Sequence, residues 1–245
     1  MAEMNSSSWQ RRLWRALRGE LFWGLLISIL ALWVFASLAD NIWEGESIAF
    51  DSQVIGIVHN ASSSGLTTIM LGLTMLGDWR VLTALGVIFG IVWWRRGQRS
   101  KVVMLTLAYL GGAALDQLLK VFFHRMRPET AGGIITVQGY SFPSGHAMMS
   151  LCFYGMLIYL LVSERSRLIR VLGLAAAIAL IGAIGLSRIY LGVHYPSDIV
   201  GGFTAGFAWL MANILGYRDY QRRQRGPARR VDTAAGTVPS SEYNT

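Results

Sequence analysis

Three short stretches of this sequence combine basic, imidazole and carboxylate side chains in otherwise apolar surroundings. They cover residues 120–128, 143–146 and 187–198, and each lies at an end of an apolar segment. Ionisable groups are costly within a bilayer and are usually functional where they occur. Fixed cations hold anions, and histidines transfer protons or attack an electrophile. The three stretches therefore predict a site for a phosphate group.

The first stretch offers two cations at a helical spacing. Lys120 and Arg127 are seven positions apart, so a helix that continued to Pro128 would present both on one face. A lysine and an arginine together suit a tetrahedral dianion. Asp116, one turn before Lys120, is placed to pair with it. The alternative is that these cations, like the neighbouring Arg125, only mark the interfacial end of a helix.

The second stretch is suited to the start of a helix. Pro143 precedes an apolar segment, and Ser144 is a favourable N-cap residue. The backbone amides from Gly145 onward would then point to an anion at the positive end of the helix dipole. His146 in the first turn can donate or accept a proton near neutral pH. An ordinary helix cap with an incidental histidine is the alternative.

The third stretch is the most specific of the three. His194 and Asp198 are four positions apart, so the carboxylate can bond to one ring nitrogen in a helix or turn. The other nitrogen then remains as a nucleophile. Arg188, six residues before His194, can hold the phosphoryl group under attack. A surface histidine–aspartate pair is the alternative.

The elements that must position these residues are apolar helices. Apolar residues make up 53% of the 245-residue chain and charged residues only 15%, with a mean hydropathy of +0.42. Soluble domains carry roughly 25% charged residues. We predict an all-α polytopic membrane protein with six transmembrane helices, and a short interfacial helix, or an extension of the second span, at residues 66–74. The predicted spans are residues 21–39, 75–94, 102–123, 144–163, 168–187 and 198–216.

The distribution of Lys and Arg predicts the orientation in the membrane. Seventeen of the 22 basic residues fall on one side of the predicted bundle, and the positive-inside bias makes that side cytoplasmic. An inner (plasma) membrane location with both termini in the cytoplasm follows, and the three stretches then face the periplasm or exterior. The seventeen lie in segments 11–18, 95–101, 165–170 and 218–230.

This topology divides the chain into three parts. We predict a basic cytoplasmic N-terminus at residues 1–20, a six-helix membrane domain at residues 21–217, and a basic, disordered cytoplasmic tail at residues 218–245. The single cysteine, Cys152, lies in an apolar segment and excludes both disulfides and cysteine-rich zinc sites.

The three stretches, taken in order, resemble the three-part signature of the type 2 phosphatidic acid phosphatase superfamily. The six predicted spans also match the plan of its membrane-bound lipid phosphatases, and no signature position departs from the pattern. The matching positions are Lys120-x6-Arg127-Pro128, Pro143-Ser144-Gly145-His146 and Ser187-Arg188-x5-His194-x3-Asp198.

The resemblance implies a role for each of these residues. His194 would attack phosphorus to form a phosphohistidine, with Asp198 orienting its ring. His146 would protonate the leaving group and then activate water. The phosphoryl oxygens would be held by Lys120, Arg127, Ser144, Gly145 and Arg188.

The expected substrate is a lipid phosphomonoester or pyrophosphate, such as undecaprenyl pyrophosphate, phosphatidylglycerol phosphate or phosphatidic acid. This lipid and the membrane lipids are the expected partners; the net charge of +8 is explained by topology without invoking nucleic acid. Three cations can supply the charge neutralisation that Mg²⁺ supplies elsewhere. Because no carboxylate cluster lies on this face, we expect neither a metal nor another cofactor.

Three other functions remain as alternatives. A lipid phosphotransferase would use the same phosphohistidine but pass the group to an acceptor other than water. A haloperoxidase shares the signature but is normally soluble. An anion transporter would need ionisable residues along a path through the bilayer, whereas here they cluster at one end.

Overall fold

A computed structural model describes residues 20–44, 48–128 and 137–225, and the backbone there forms eight helices and no strand. Helices satisfy all backbone hydrogen bonds internally, as apolar surroundings require. The helices are α1 (Glu20–Glu44), α2 (Ile48–Asn60), α3 (Ser64–Leu76), α4 (Trp79–Arg95), α5 (Arg99–Phe123), α6 (Gly145–Val162), α7 (Arg167–Tyr190) and α8 (Pro196–Arg225).

Five of these helices, α1, α5, α6, α7 and α8, are long and apolar enough to cross a bilayer. Helices α3 and α4 meet that criterion only as a pair, and they are bent by 49° at the short break between them. With this pair counted as one span, all six predicted spans are present. The chain is a multi-pass membrane protein.

The connection between the first two predicted spans contains two helices. Helix α2 is short and apolar between Ala49 and Val58, which confirms a short helix at this point in the chain. The segment 66–74 belongs to α3. It therefore extends the second span, although the extension is bent rather than straight.

Helix α8 is longer than predicted and ends at Arg225. The first part of the segment 218–245, which we predicted to be disordered, is therefore helical. Side-chain packing supports the extension, since Arg218 Nε donates to the Tyr159 hydroxyl of α6 at 3.2 Å. The rest of that segment, and the N-terminal segment 1–20 except for its last residue, lie outside the described residues.

Helix α6 lies at the centre of the bundle and packs against α5, α7 and α8. Its Phe153 is fully buried, and the Tyr154 hydroxyl donates to the Leu76 carbonyl oxygen at 2.7 Å, linking α6 to the end of α3. Helix α8 approaches the start of α6 so closely that a Cβ at Gly202 would lie 2.7 Å from the Ser144 carbonyl oxygen. This packing brings the start of α6 against the start of α8.

Candidate active site

The third stretch forms a buried histidine–aspartate pair. His194 lies in the turn between α7 and α8, where Gly192 has a φ of 74° in the left-handed region that favours glycine. Asp198 lies in the first turn of α8, and its Oδ2 is 3.3 Å from His194 Nδ1. The Tyr195 amide donates to the same oxygen at 2.9 Å. The side chains of His194 and Asp198 are 2% and 0% exposed.

The contacts of His194 determine which nitrogen carries the proton. Arg127 Nη1 lies 3.1 Å from His194 Nε2, and a guanidinium can only donate. Nε2 is therefore the acceptor, and Nδ1 carries the proton that points to Asp198. Burial lowers the pKa of His194 to about 4, against the opposing effect of the bond to Asp198. The ring is thus neutral near pH 7, with the Nε2 lone pair facing a cation.

Arg127 reaches the site from a loop rather than from a helix face. Helix α5 ends at Phe123, and His124 follows with a left-handed φ of 49°. The predicted span also ends at residue 123, and the condition for Lys120 and Arg127 to share a helix face, a helix that continues to Arg127, is not met. The guanidinium is held instead by backbone acceptors, since Nε donates to the Gly139 oxygen at 3.0 Å and Nη1 to the Val193 oxygen at 2.8 Å.

Lys120 is held by Asp116, as their spacing predicts. Lys120 Nζ lies 2.6 Å from both carboxylate oxygens of Asp116, whose side chain is 1% exposed. The start of α6 lies directly beside this pair. A Cβ at Gly145 would be 3.0 Å from Asp116 Oδ2 and 3.1 Å from Lys120 Nζ. A side chain at this position would crowd the ion pair, and glycine allows the backbone to approach it closely.

Two buried donors point at no acceptor within the described part of the chain. Ser144 is the N-cap residue of α6, but its side chain makes no capping bond and Oγ has no partner. Arg188 is 3% exposed; its Nη1 donates to Thr74 Oγ1 at 2.8 Å, whereas its Nε has no partner. Buried polar atoms are almost always hydrogen-bonded. Unmatched donors on a serine and an arginine are typical of a site that receives an anion.

His146 lies in the first turn of α6 and is half-buried. Its ring is close to the bend between α3 and α4, because a Cβ at Gly77 would be 3.1 Å from His146 Cδ2. The ring makes no hydrogen bond to another described residue, so both nitrogens can meet a substrate. The charged or titratable groups that interact with it are Arg188, His194, Lys120 and Arg127.

The eight positions selected from the sequence thus surround one place at the starts of α6 and α8. The arrangement supplies a neutral imidazole whose unprotonated nitrogen accepts from Arg127, a second imidazole, three cations and a hydroxyl donor. These groups can bind a phosphoryl group, neutralise its charge and form a bond to phosphorus. Among residues 20–44, 48–128 and 137–225, no three or more His, Cys, Asp or Glu side chains are grouped as metal ligands.

Sequence reasoning missed Arg125, which contacts the pair, and Asp51, which contacts Arg125. Arg125, which we interpreted as the interfacial end of a helix, donates from Nη1 to Asp198 Oδ1 at 2.6 Å. Its Nη2 donates to Asp51 Oδ2 at 2.8 Å. Asp51 belongs to α2 and is far from Arg125 in sequence, so no local spacing indicates the contact. The only signal available was the presence of ionisable residues in an apolar chain.

Comparison with known proteins identifies the family. The family model described as the PAP2 superfamily matches residues 101–224. Phosphatidylglycerophosphatase B of Bacillus subtilis is 33% identical over 166 residues, which are 65% of this chain and 79% of that protein. An undecaprenyl-diphosphatase of Sulfolobus acidocaldarius is 25% identical over 224 residues, 88% of this chain and 98% of that protein.

A solved structure has a similar fold. The crystal structure of a transmembrane PAP2-type phosphatidylglycerolphosphate phosphatase from Bacillus subtilis superimposes with a TM-score of 0.74 at 27% identity. The match covers 81% of this chain and 98% of that one. The chain therefore belongs to the PAP2 superfamily, in its group of membrane-spanning lipid phosphatases.

Proposed function

We propose that this chain hydrolyses the phosphate of a membrane lipid through a phosphohistidine formed on His194. The observation that carries the proposal is the environment of His194 Nε2. Its lone pair faces Arg127 at 3.1 Å, and the ring is held from behind by Asp198. A phosphoryl oxygen that takes over the Arg127 donor releases the Nε2 lone pair and places phosphorus beside the nucleophile.

Binding uses the cations and donors around this nitrogen. Lys120, Arg127 and Arg188 neutralise the phosphoryl oxygens, and the orphaned Ser144 Oγ and Arg188 Nε gain acceptors. The amide of Gly145 adds a donor at the positive end of α6. Donors fixed before the substrate arrives need no reorganisation during the reaction, which is the main contribution that phosphoryl transfer requires.

The chemistry proceeds in two displacements. Nε2 of His194 forms a bond to phosphorus as the bond from phosphorus to the leaving oxygen breaks, and Asp198 stabilises the positive charge of the ring. Imidazolium at His146, favoured beside the bound dianion, gives its proton to the leaving oxygen. His146 then removes a proton from water, which attacks phosphorus, breaks the N–P bond and releases phosphate.

The substrate class follows from the membrane setting and from the relatives. The relatives' names refer to phosphatidylglycerophosphate and undecaprenyl diphosphate, which are both lipids with terminal phosphate. Undecaprenyl pyrophosphate, phosphatidylglycerol phosphate and phosphatidic acid are therefore the substrates to test. Each can present its phosphate to the site while its hydrocarbon chain stays in the bilayer.

We also propose the inner (plasma) membrane as the location, with both termini cytoplasmic and the site facing the periplasm or exterior. Exposed basic residues occupy the α4–α5 and α6–α7 turns, including Arg95 and Arg165, and the positive-inside bias assigns these turns to the cytoplasm. The site residues lie at the ends of the helices opposite to these turns. Residues 21–217 then form the catalytic membrane domain.

The decisive experiment measures free phosphate released by the full chain, purified in detergent, from a panel of these lipid phosphates. We expect His194→Ala to lower turnover by at least ~10⁴-fold, because no other group replaces the nucleophile. The matched control is His124→Asn, which changes an exposed histidine and tolerates the left-handed backbone at that position. Wild-type turnover in His194→Ala would refute the mechanism.

Two further arms of this experiment define the reaction. Phosphate from a labelled lipid should remain on the wild-type chain after rapid denaturation and be absent from His194→Ala. A phosphorylated acceptor in place of free phosphate would instead identify a phosphotransferase. Excess EDTA should leave activity unchanged, since side-chain cations provide the charge neutralisation; full loss of activity in EDTA would contradict that part of the proposal.

A further inference from the structure

A chain of buried ion pairs leads from Asp198 away from the phosphate site, and the reaction described above does not use it. Asp198 Oδ1 accepts from Arg125 Nη1 at 2.6 Å, and Arg125 Nη2 donates to Asp51 Oδ2 at 2.8 Å. The two carboxylates are 0% exposed and the Arg125 side chain is 11% exposed. The guanidinium thus links a carboxylate of α8 to a carboxylate of α2.

Ser197 also belongs to this network, since it bonds to both Asp51 and Arg125. Its amide donates to Asp51 Oδ1 at 3.0 Å, and its hydroxyl donates to Asp51 Oδ2 at 2.6 Å. The same hydroxyl accepts from Arg125 Nη1 at 2.7 Å. The guanidinium also lies over the Tyr195 ring, with Cζ 4.2 Å from the centroid. Arg125 and Asp51 therefore contact three neighbouring residues of the segment that carries the catalytic pair, namely Tyr195, Ser197 and Asp198.

The two carboxylate oxygens of Asp198 have different hydrogen-bond partners. Oδ2 receives His194 Nδ1 and the Tyr195 amide, whereas Oδ1 receives Arg125. Arg125 cannot change its position without breaking its bond to Asp51, because its Nη2 donates to that carboxylate. The orientation of the Asp198 carboxylate thus depends on Asp51, which is linked to it through Arg125.

From this geometry we infer that Asp51 and Arg125 are positioning residues, which hold Asp198 in place and adjust the charge it presents to His194. The inference rests on the proposed function, in which His194 is the nucleophile. Asp51 belongs to α2 and lies outside residues 101–224, the part matched by the family model. The short helix between the first two spans would thereby contribute to catalysis without touching the substrate.

The two residues carry opposite charges, so their removal should act on His194 in opposite directions. Loss of the Arg125 cation leaves Asp198 with more negative charge for the imidazolium, which raises the pKa of His194. Loss of the Asp51 anion leaves Arg125 to act on Asp198 alone, which lowers that pKa. Charge changes at this range shift a pKa by about one unit or more. The other charged or titratable groups near His194, which stay unchanged, are Arg127, Arg188, Lys120 and His146.

The test compares Asp51→Asn and Arg125→Met in the full chain in detergent. Asn keeps the shape of Asp51 and an oxygen acceptor for Ser197. We expect kcat for a lipid phosphate to fall by roughly tenfold or more in each variant, with little change in KM, because neither residue faces the phosphate. The pKa of His194 is read from the ¹³C resonance of its Cε1, assigned by its loss in His194→Asn. Glu164→Gln, at an exposed turn on the opposite end, is the matched control.

Opposite shifts of the His194 pKa, downward in Asp51→Asn and upward in Arg125→Met, would support the inference. Shifts in the same direction, unchanged kcat in both variants, or loss of the folded chain in the nearly isosteric Asp51→Asn would overturn it. If Arg125→Met alone fails to fold, a lower His194 pKa together with a reduced kcat in Asp51→Asn would still support the inference. The pKa measurement needs no turnover, so this inference can fail while His194→Ala still abolishes activity.

Discussion

The two ends of the helical bundle carry the same kinds of basic side chain in opposite environments. At the site end, Arg188 is 3% exposed, and Lys120 and Arg125 are paired with buried carboxylates. At the other end, the basic side chains of the α4–α5 and α6–α7 turns are exposed: Arg95, Arg96, Arg99, Arg165, Arg167 and Arg170. The Arg99 guanidinium lies over an aromatic ring, with Cζ 4.9 Å from the Trp94 centroid.

This difference separates two uses of positive charge. Exposed cations at helix ends interact with water and lipid headgroups and determine topology. Buried cations are costly unless an anion compensates them, and the compensation at the site end is incomplete because Arg188 Nε has no partner among the described residues. In the proposed mechanism, the cation with an unfilled, buried donor marks the phosphate site, whereas local charge density does not distinguish the two ends.

For the comparison of the two ends, the largest expected effect comes from replacing one arginine at each end with methionine. Arg188→Met should lower kcat by about 10²–10³-fold, the typical cost of losing one fixed donor to the transition state. Arg170→Met, an exposed residue at the other end, should leave kcat within about twofold, since it contacts neither substrate nor buried anion. Phosphate release by the purified variants measures both.

Arg188→Lys sharpens this comparison. It keeps the charge but removes the planar fork, so its activity should lie between those of the wild type and Arg188→Met. Equal losses at Arg188 and Arg170 would mean that burial does not distinguish the two ends.

A smaller effect is expected when a buried anion is removed. Asp116→Asn should lower the free energy of unfolding by about 2–3 kcal/mol, somewhat less than the 3–5 kcal/mol typical of fully buried pairs. Lys120 retains a side-chain exposure of 13%, and water at the site reduces the cost. Denaturant-induced unfolding in mixed micelles gives the value. Glu164→Gln, at an exposed turn on the opposite end, is a useful comparison, and an equal loss there would contradict a special role for the buried pair.

The smallest of the three effects should be confined to activity. Ser144→Ala should reduce kcat by about tenfold, since one neutral donor to the phosphoryl group is lost. The free energy of unfolding should stay within about 0.5 kcal/mol of wild type, because Ser144 Oγ has no partner to lose. Thermal unfolding and phosphate release on the same preparation test both parts. A stability loss comparable to that of Asp116→Asn would show that the hydroxyl supports the fold instead.

Much of the fold could be predicted because its signals are local. The six apolar spans are visible in the sequence, and the pairs Asp116–Lys120 and His194–Asp198 follow from a separation of four residues. The sequence also predicted the start of α6 at Ser144, although the Ser144 side chain makes no capping bond. Each of these features depends on neighbours within one or two helical turns.

The features that could not be predicted depend on backbone breaks and on distant packing. The predicted span ends at residue 123, as α5 does, but the sequence did not show that Arg127 reaches the site from a loop, where the Gly139 and Val193 carbonyl oxygens hold it. The bend between α3 and α4 depends on how both helices pack, and hydropathy does not report an angle. Arg125 was misinterpreted because its partner Asp51 is remote in sequence.

The sequence by itself determined the membrane-spanning architecture, the chemical types available at the site and the partners that lie one helical turn apart. Only the tertiary structure decided which buried donors lack acceptors among residues 20–44, 48–128 and 137–225, namely Ser144 Oγ and Arg188 Nε, and that Asp51 is linked to Asp198 through Arg125. The physical reason is that helical periodicity specifies distances within a helix, whereas contacts between α2, the end of α5 and the start of α8 exist only after the helices have packed.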